Sequence, residues 1–277
     1  MINDSQLKVL EALKTFRYLT VKQFVKLGVY KSEKGLRDKV LARLRLEPYP
    51  LIASTDFGFV AGKGRLESVH CLTKRGALAL ADLDGVGLET IPYPTGAIQF
   101  SRDYEHRLEF ISLHIALRQY AERTGQTVDF FHSYFDSVGN QRQKNSQLIR
   151  STQVFLGSKA IIPDGNFRLA MLDGQTRLFS LELHKGNNTA KILEQLENHA
   201  VLIEKELLPN KYNHPFDNYV LSVYDHQGTL EAVKKRFQDS PRLKQYQAHY
   251  AFNLWKVAQA DFSQGWHYCD GQDFPIF

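Results

Sequence analysis

The chain has 277 residues, 43% of them hydrophobic, enough to build a sizeable core or two smaller ones. No run of about 18 apolar residues occurs, which excludes a membrane-spanning helix. The first residues, Met-Ile-Asn-Asp-Ser-Gln-Leu-Lys, lack the basic start, apolar core and cleavage site of a secretory signal. Cys71 and Cys269 are far apart and fit no metal spacing, so a reduced, cytoplasmic protein is expected. The net charge of +5 is unevenly placed. Residues 1–85 carry 15 Lys/Arg against 9 Asp/Glu, a net of +6, and the remainder carry 20 against 21, a net of −1. A basic module beside a near-neutral one points to contact with polyanions, a solvated surface being the other reading.

In residues 3–15, Leu7, Leu10 and Leu13 recur at helical spacing. A second helix is predicted in 18–28, with Thr20 as its N-cap and Gly28 as its stop. A third is predicted in 31–48, capped by Ser32, with Leu36, Val40, Leu41 and Leu44 as its apolar stripe. Residues 51–72 read as two strands around the Gly-Lys-Gly turn at 62–64, and 73–83 as a closing helix after Thr73. Three helices, a β-hairpin and a closing helix make the layout of a winged helix-turn-helix, whose third helix enters the major groove and whose hairpin tip meets phosphates. On the third helix Lys31, Gly35, Lys39 and Ala42 face away from the stripe, with Lys34 and Arg43 as further cations, and Arg37 falls near the stripe. Lys63 and Arg65 stand at the hairpin tip. The expected DNA contacts are therefore Lys31, Lys34, Lys39, Arg43, Lys63 and Arg65. A small helical domain with its lysines in water, or one that binds protein, is the alternative.

Residues 86–100 read as a Gly/Pro-containing linker between a winged helix at 1–85 and a second domain at 101–277. That domain opens with a helix over 101–125, apolar around most of its circumference and so expected to be buried. Glu105, Glu109, Ser112 and Ala116 form a narrow stripe on it. A buried carboxylate needs a cation, a partner or a proton, although Arg102 and Arg107 are also within reach as partners.

Asp173-Gly174 then predicts a hairpin between "NFRLAML" and "TRLFSLELH". In the second strand Phe179, Leu181 and Leu183 alternate with Ser180, Glu182 and His184, placing an acid and an imidazole on one face. A two-residue turn sets Asp164 opposite Leu183. A three-residue loop with a Gly bulge sets it opposite Glu182 or His184. Two carboxylates that close repel unless a divalent cation or a shared proton lies between them. Oxygen ligands on strand ends suit Mg²⁺ or Mn²⁺, which gather waters and phosphates and acidify a bound water. Beside a duplex-binding module, the expected substrate is a phosphodiester.

Pro163-Asp164, then Glu182-x-His184-Lys185, with Glu105 or Glu109 upstream, resembles the PD-(D/E)XK nuclease superfamily. Together with the N-terminal elements, residues 5–205 are similar to the replication-relaxation family of plasmids and integrative elements and to the MobC-type mobilisation relaxases. The resemblance implies an α+β chain, a winged helix-turn-helix followed by a restriction-endonuclease-like domain with a mixed central sheet. It implies Asp164 and Glu182 as metal ligands, Glu105 or Glu109 as a supporting acid and Lys185 as a charge-steadying cation. The family's lysine two residues after the second acid is His184 here. Either His184 itself ligates a softer ion such as Mn²⁺, or Lys191, which shares a helix face with Gln195 and His199, reaches in. A site that has lost its chemistry is the remaining alternative.

Further on, 215–225 reads as a buried strand, 229–240 as a helix, and 245–262 as aromatic packing at a sheet edge. No nucleotide-binding Gly-rich loop occurs. The reading is a metal-dependent DNA-nicking or relaxing protein, bound to double-stranded DNA at an origin-like site alongside other mobilisation or replication proteins. Its rivals are a non-catalytic sequence-specific initiator or regulator and a restriction or defence nuclease.

Overall fold

A computed structural model of the chain describes residues 2–46, 48–94, 103–138 and 149–275. It is mixed α+β and forms two compact units, residues 1–115 and 116–277, with the divide inside the helix Tyr104–Thr124. Part of the segment read as a linker, 95–100, lies outside the described residues.

The first unit begins with the helix Asp4–Phe16, closed at its start by a reciprocal capping box between Asn3 and Gln6. Strand β1, Leu19–Thr20, leads into the helix Val21–Lys26, where Thr20 and Gln23 make a second such box. Ser32 caps the third helix, accepting the Gly35 N–H. That helix is one run of three parts: an α-helical turn at Glu33–Gly35, a π-helical segment at Leu36–Leu41 and an α-helical turn at Ala42–Leu44. Leu36, Val40, Leu41 and Leu44 are all buried, as their spacing predicts. β2 (Ile52–Thr55) and β5 (Val69–Leu72) then pair antiparallel, with β1 on the other side of β5. Between them β3 (Phe59–Val60) and β4 (Gly64–Arg65) form a short hairpin whose Gly62 and Gly64 both take positive φ. The helix Lys74–Asp84 follows, capped by Thr73.

The second unit is built on a five-stranded mixed sheet in the order β14-β13-β12-β11-β6. β6 is Thr127–Ser133, β11 Gly165–Ala170, β12 Thr176–His184, β13 Asn218–Tyr224 and β14 Tyr250–Leu254. Two small two-stranded pairs lie between β6 and β11 in sequence: β7 (Ser137–Val138) with β8 (Ile149–Arg150), and β9 (Val154–Leu156) with β10 (Lys159–Ile161). β11 is antiparallel to both its neighbours, β6 and β12; β12, β13 and β14 are parallel. Parallel neighbours need crossovers, and these are the helices Thr189–Glu204 and Gln227–Asp239. Ile192, Leu196, Val233 and Phe237 of those helices pack with Val220, Tyr224, Tyr250 and Phe252 of the sheet. Burying each such side chain contributes about 1.5–3 kcal/mol. The aromatic-rich stretch supplies the edge strand β14, as its composition suggests. Among the described residues no helix is long and apolar enough to cross a membrane.

Candidate functional site

The hairpin that carries the two acids is closed by a three-residue loop. Met171 and Gln175 are joined by a backbone hydrogen bond, and Gly174 takes φ +79°. Of the two registers open to the sequence, this is the bulged one. Its last pair is Gly165 with Leu181, so Asp164, next along the chain, comes level with Glu182. Asp164 is half-buried, and its Oδ2 accepts the Leu183 N–H at 2.9 Å.

Glu182 is 3% exposed. Alternation along β12 predicts a core face and a polar face, but both are buried, because the helix Thr189–Glu204 covers the second one. The cover brings His199 onto the acid, with Nε2 2.6 Å from Glu182 Oε1. Two steps along the strand is His184, which is buried. Its Nε2 lies 3.0 Å from Ser222 Oγ, and Ser222 Oγ donates to the Tyr224 hydroxyl at 2.8 Å. Ser222 and Tyr224 are the residues of parallel strand β13 in register with Glu182 and His184. Burial, reinforced by the Glu182 charge, pushes the Tyr224 phenol well above its usual range. On the other flank Ser180 Oγ donates to Asn166 Oδ1 at 3.0 Å, and Asn166 Nδ2 donates to the Tyr212 hydroxyl at 3.2 Å. Burial drives that phenol up to about 12. A polar seam thus crosses β11, β12 and β13 beneath the helices.

Sequence reasoning reached Asp164, Glu182 and His184, set Ser180 on their face without a role, and missed Asn166, Ser222 and Tyr224. The signal for Ser222 and Tyr224 was polar side chains at alternate positions of a strand read only as buried. His199 was placed on the correct helix face, which runs from exposed Lys191 through half-buried Gln195 to buried His199. Lys191 is exposed at the helix start, where Asn188 caps its N–H. Lys185 is half-buried, one residue past the end of β12.

Carboxylate oxygens are the donor type that Mg²⁺ and Mn²⁺ take, ions commonly held by one or two carboxylates plus water and phosphate. Asp164 and Glu182 would hold it. Among the described residues no group of three or more His, Cys, Asp or Glu side chains converges as a metal cluster. Cys71 and Cys269 are buried free thiols.

In the first unit Lys31, Lys34, Lys39 and Arg43 are all exposed, and none has an acidic partner among the described residues. Lys63 and Arg65, at the hairpin, are ion-paired, Lys63 with Glu105 and Arg65 with Asp56. The Gly58 N–H and then Arg65 hold the Asp56 carboxyl below its usual range. Glu105 is therefore engaged by Lys63, while Glu109 is half-buried on the same helix. Arg37 departs from the sequence reading: its side chain is 53% exposed and donates to Glu33 Oε2 at 2.6 Å. The π-helical segment changes the wheel at that position.

Compared with protein-family models, with curated proteins and with solved structures, the chain matches none.

Proposed function

We propose that this chain is a duplex-DNA-binding protein of a plasmid or integrative element that docks on an origin-like site. In this reading the first unit is a winged helix-turn-helix and the second a restriction-endonuclease-like frame, and partner proteins of replication or mobilisation meet it there. The observation that carries the reading is the helix Glu33–Leu44 and its approach. Its Leu36, Val40, Leu41 and Leu44 are buried, while Lys31, Lys34, Lys39 and Arg43 stand exposed without acidic partners among the described residues. Elsewhere in the unit, Lys8, Lys14, Lys22, Lys63 and Arg65 are each tied to a carboxylate, while Lys74 and Arg75, at the start of the helix Lys74–Asp84, are exposed without a carboxylate partner among the described residues. Untied cations on one helix are available to phosphates and release counterions when they bind them. The test is titration of a labelled duplex with the full chain and with Lys39→Ala and Arg43→Ala. Weaker binding in both variants supports the reading, and unchanged affinity in both removes it.

A second reading, strand nicking, is favoured by one specific observation: the register that brings Asp164 level with Glu182. A divalent cation on this pair would polarise a phosphodiester and make a water more acidic. The protein's own part is to fix the two oxygens. The Leu183 N–H holds Asp164, His199 holds Glu182, and Lys185 at the strand end offers a positive charge to the phosphate. Supercoiled plasmid carrying candidate origins, incubated with Mg²⁺ or Mn²⁺, tests it. Conversion to open circle by the wild type, lost in Asp164→Ala and in Glu182→Ala, supports nicking. No conversion, with duplex binding intact, leaves a binding protein on a nuclease-like frame.

A further inference from the structure

Leu36 and Leu41 are five residues apart, a spacing that an ordinary α-helix would turn about 140° apart. Both are nonetheless fully buried, with Val40 beside them. The π-helical backbone brings the two closer to one face: the Ala42 N–H reaches back five residues to the Arg37 carbonyl. With three apolar residues turned inward over this short stretch, the residues between them, Arg37, Asp38 and Lys39, are all exposed. The turn before is pinned. A Cβ at Gly35 would lie 2.6 Å from the Tyr30 ring, so Tyr30 packs directly on the glycine backbone.

These three exposed residues are not alike. The Arg37 guanidinium is oriented by Glu33, one turn earlier, at 2.6 Å. Asp38 has no hydrogen-bond or ion-pair partner among the described residues, and it stands among Lys34, Lys39 and Arg43. A bare carboxylate on a surface that meets phosphates lowers affinity for any duplex. What it can gain there is a hydrogen bond from a base amine, and in the major groove the cytosine N4 amine is the donor that carboxylates read. A pre-oriented guanidinium has the matching role towards guanine O6 and N7. π-helical insertions recur at functional sites because they re-aim side chains in this way.

We infer that Arg37 and Asp38 are the base-reading residues of this helix, Arg37 taking a guanine and Asp38 a nearby cytosine, while Lys31, Lys34, Lys39 and Arg43 contact phosphate. The inference rests on the duplex-binding reading. The test is selection from a pool of randomised duplexes with the full chain, followed by sequencing of the bound fraction, for wild type, Arg37→Ala, Asp38→Ala and Lys39→Ala. All three positions are exposed, and circular dichroism checks that each variant is folded. The wild type should enrich a motif. Arg37→Ala should lose a guanine preference at one position by about five- to a hundred-fold, and Asp38→Ala should lose a cytosine preference by a similar factor. Asp38→Ala should also bind unselected duplex more tightly. Lys39→Ala should weaken all sequences evenly and keep the motif. The same motif from wild type, Arg37→Ala and Asp38→Ala overturns the assignment, as does wild-type binding with no motif. No duplex retained by the wild type at all rejects the duplex-binding reading itself, and the assignment with it.

Discussion

The Glu182–His199 contact joins two groups almost without exposure, with side chains 4% and 1% accessible and the facing atoms 2.6 Å apart. His199→Ala removes the donor and opens a cavity while leaving the carboxylate buried without its imidazole. Breaking a buried pair from one side costs about 3–5 kcal/mol. The second unit spans residues 116–277, a size at which each kcal/mol lowers the melting temperature by about 2–4 °C. The expected drop is therefore about 6–20 °C in the transition belonging to that unit. Glu182→Gln keeps the shape and a neutral hydrogen bond, so it should cost only about 1–2 kcal/mol. Replacing both members with apolar residues of similar volume, Glu182→Met with His199→Leu, should recover most of the loss. Urea and thermal denaturation of the full chain, followed by circular dichroism, measure all three. If each single substitution costs under about 1 kcal/mol and the effects simply add, the seam is not held together as described.

Other consequences follow from the same geometry. His70 is 3% exposed, and burial, helped by the Arg45 and Arg37 charges, lowers its pKa from 6.5 to about 4. The unfolded chain therefore takes that proton first. The stability tied to neutral His70 is complete above pH 6.5 and is lost as the pH falls towards 4, with about 2 kcal/mol gone by pH 5. Urea denaturation at pH 7 and pH 5 should show this loss in the wild type and a smaller one in His70→Leu. Gly76→Ala would place a Cβ 2.0 Å from the Leu51 carbonyl oxygen, a backbone atom with little room to give. It should destabilise the first unit by about 1–3 kcal/mol in the same assay. Because Lys63 is already paired with Glu105, Lys63→Ala should weaken duplex binding less than Lys39→Ala in a direct titration.

Local features of the fold were legible from the chain. Thr20, Ser32 and Thr73 cap the helices their positions predict, because capping needs only a side chain and the N–H three residues on. The Asp173-Gly174 turn likewise marked a hairpin, and with it the register that ends at Gly165 and Leu181, to within one residue. Three things were not legible, each for a physical reason. The π-helical segment left no mark on the pattern, since Leu36, Val40, Leu41 and Leu44 also make one broad stripe on a plain α-helix. The burial of both faces of β12 depends on where a following helix lies, and alternation along one strand carries no record of that. The seam through Ser222 and Tyr224 depends on parallel register between strands some 40 residues apart, which no turn specifies.

The proposed duplex contact rests on the cations of the helix Glu33–Leu44 and its approach. Four phosphate contacts give a slope of about −3.6 for the logarithm of affinity against the logarithm of salt concentration, roughly a 150-fold loss between 50 and 200 mM. The most direct measurement is that slope, by fluorescence anisotropy, for the wild type and for a variant with Lys31, Lys34, Lys39 and Arg43 all replaced by Ala. The wild type should show a steep slope that is nearly abolished in the variant. Equal slopes and affinities for the two proteins would contradict it.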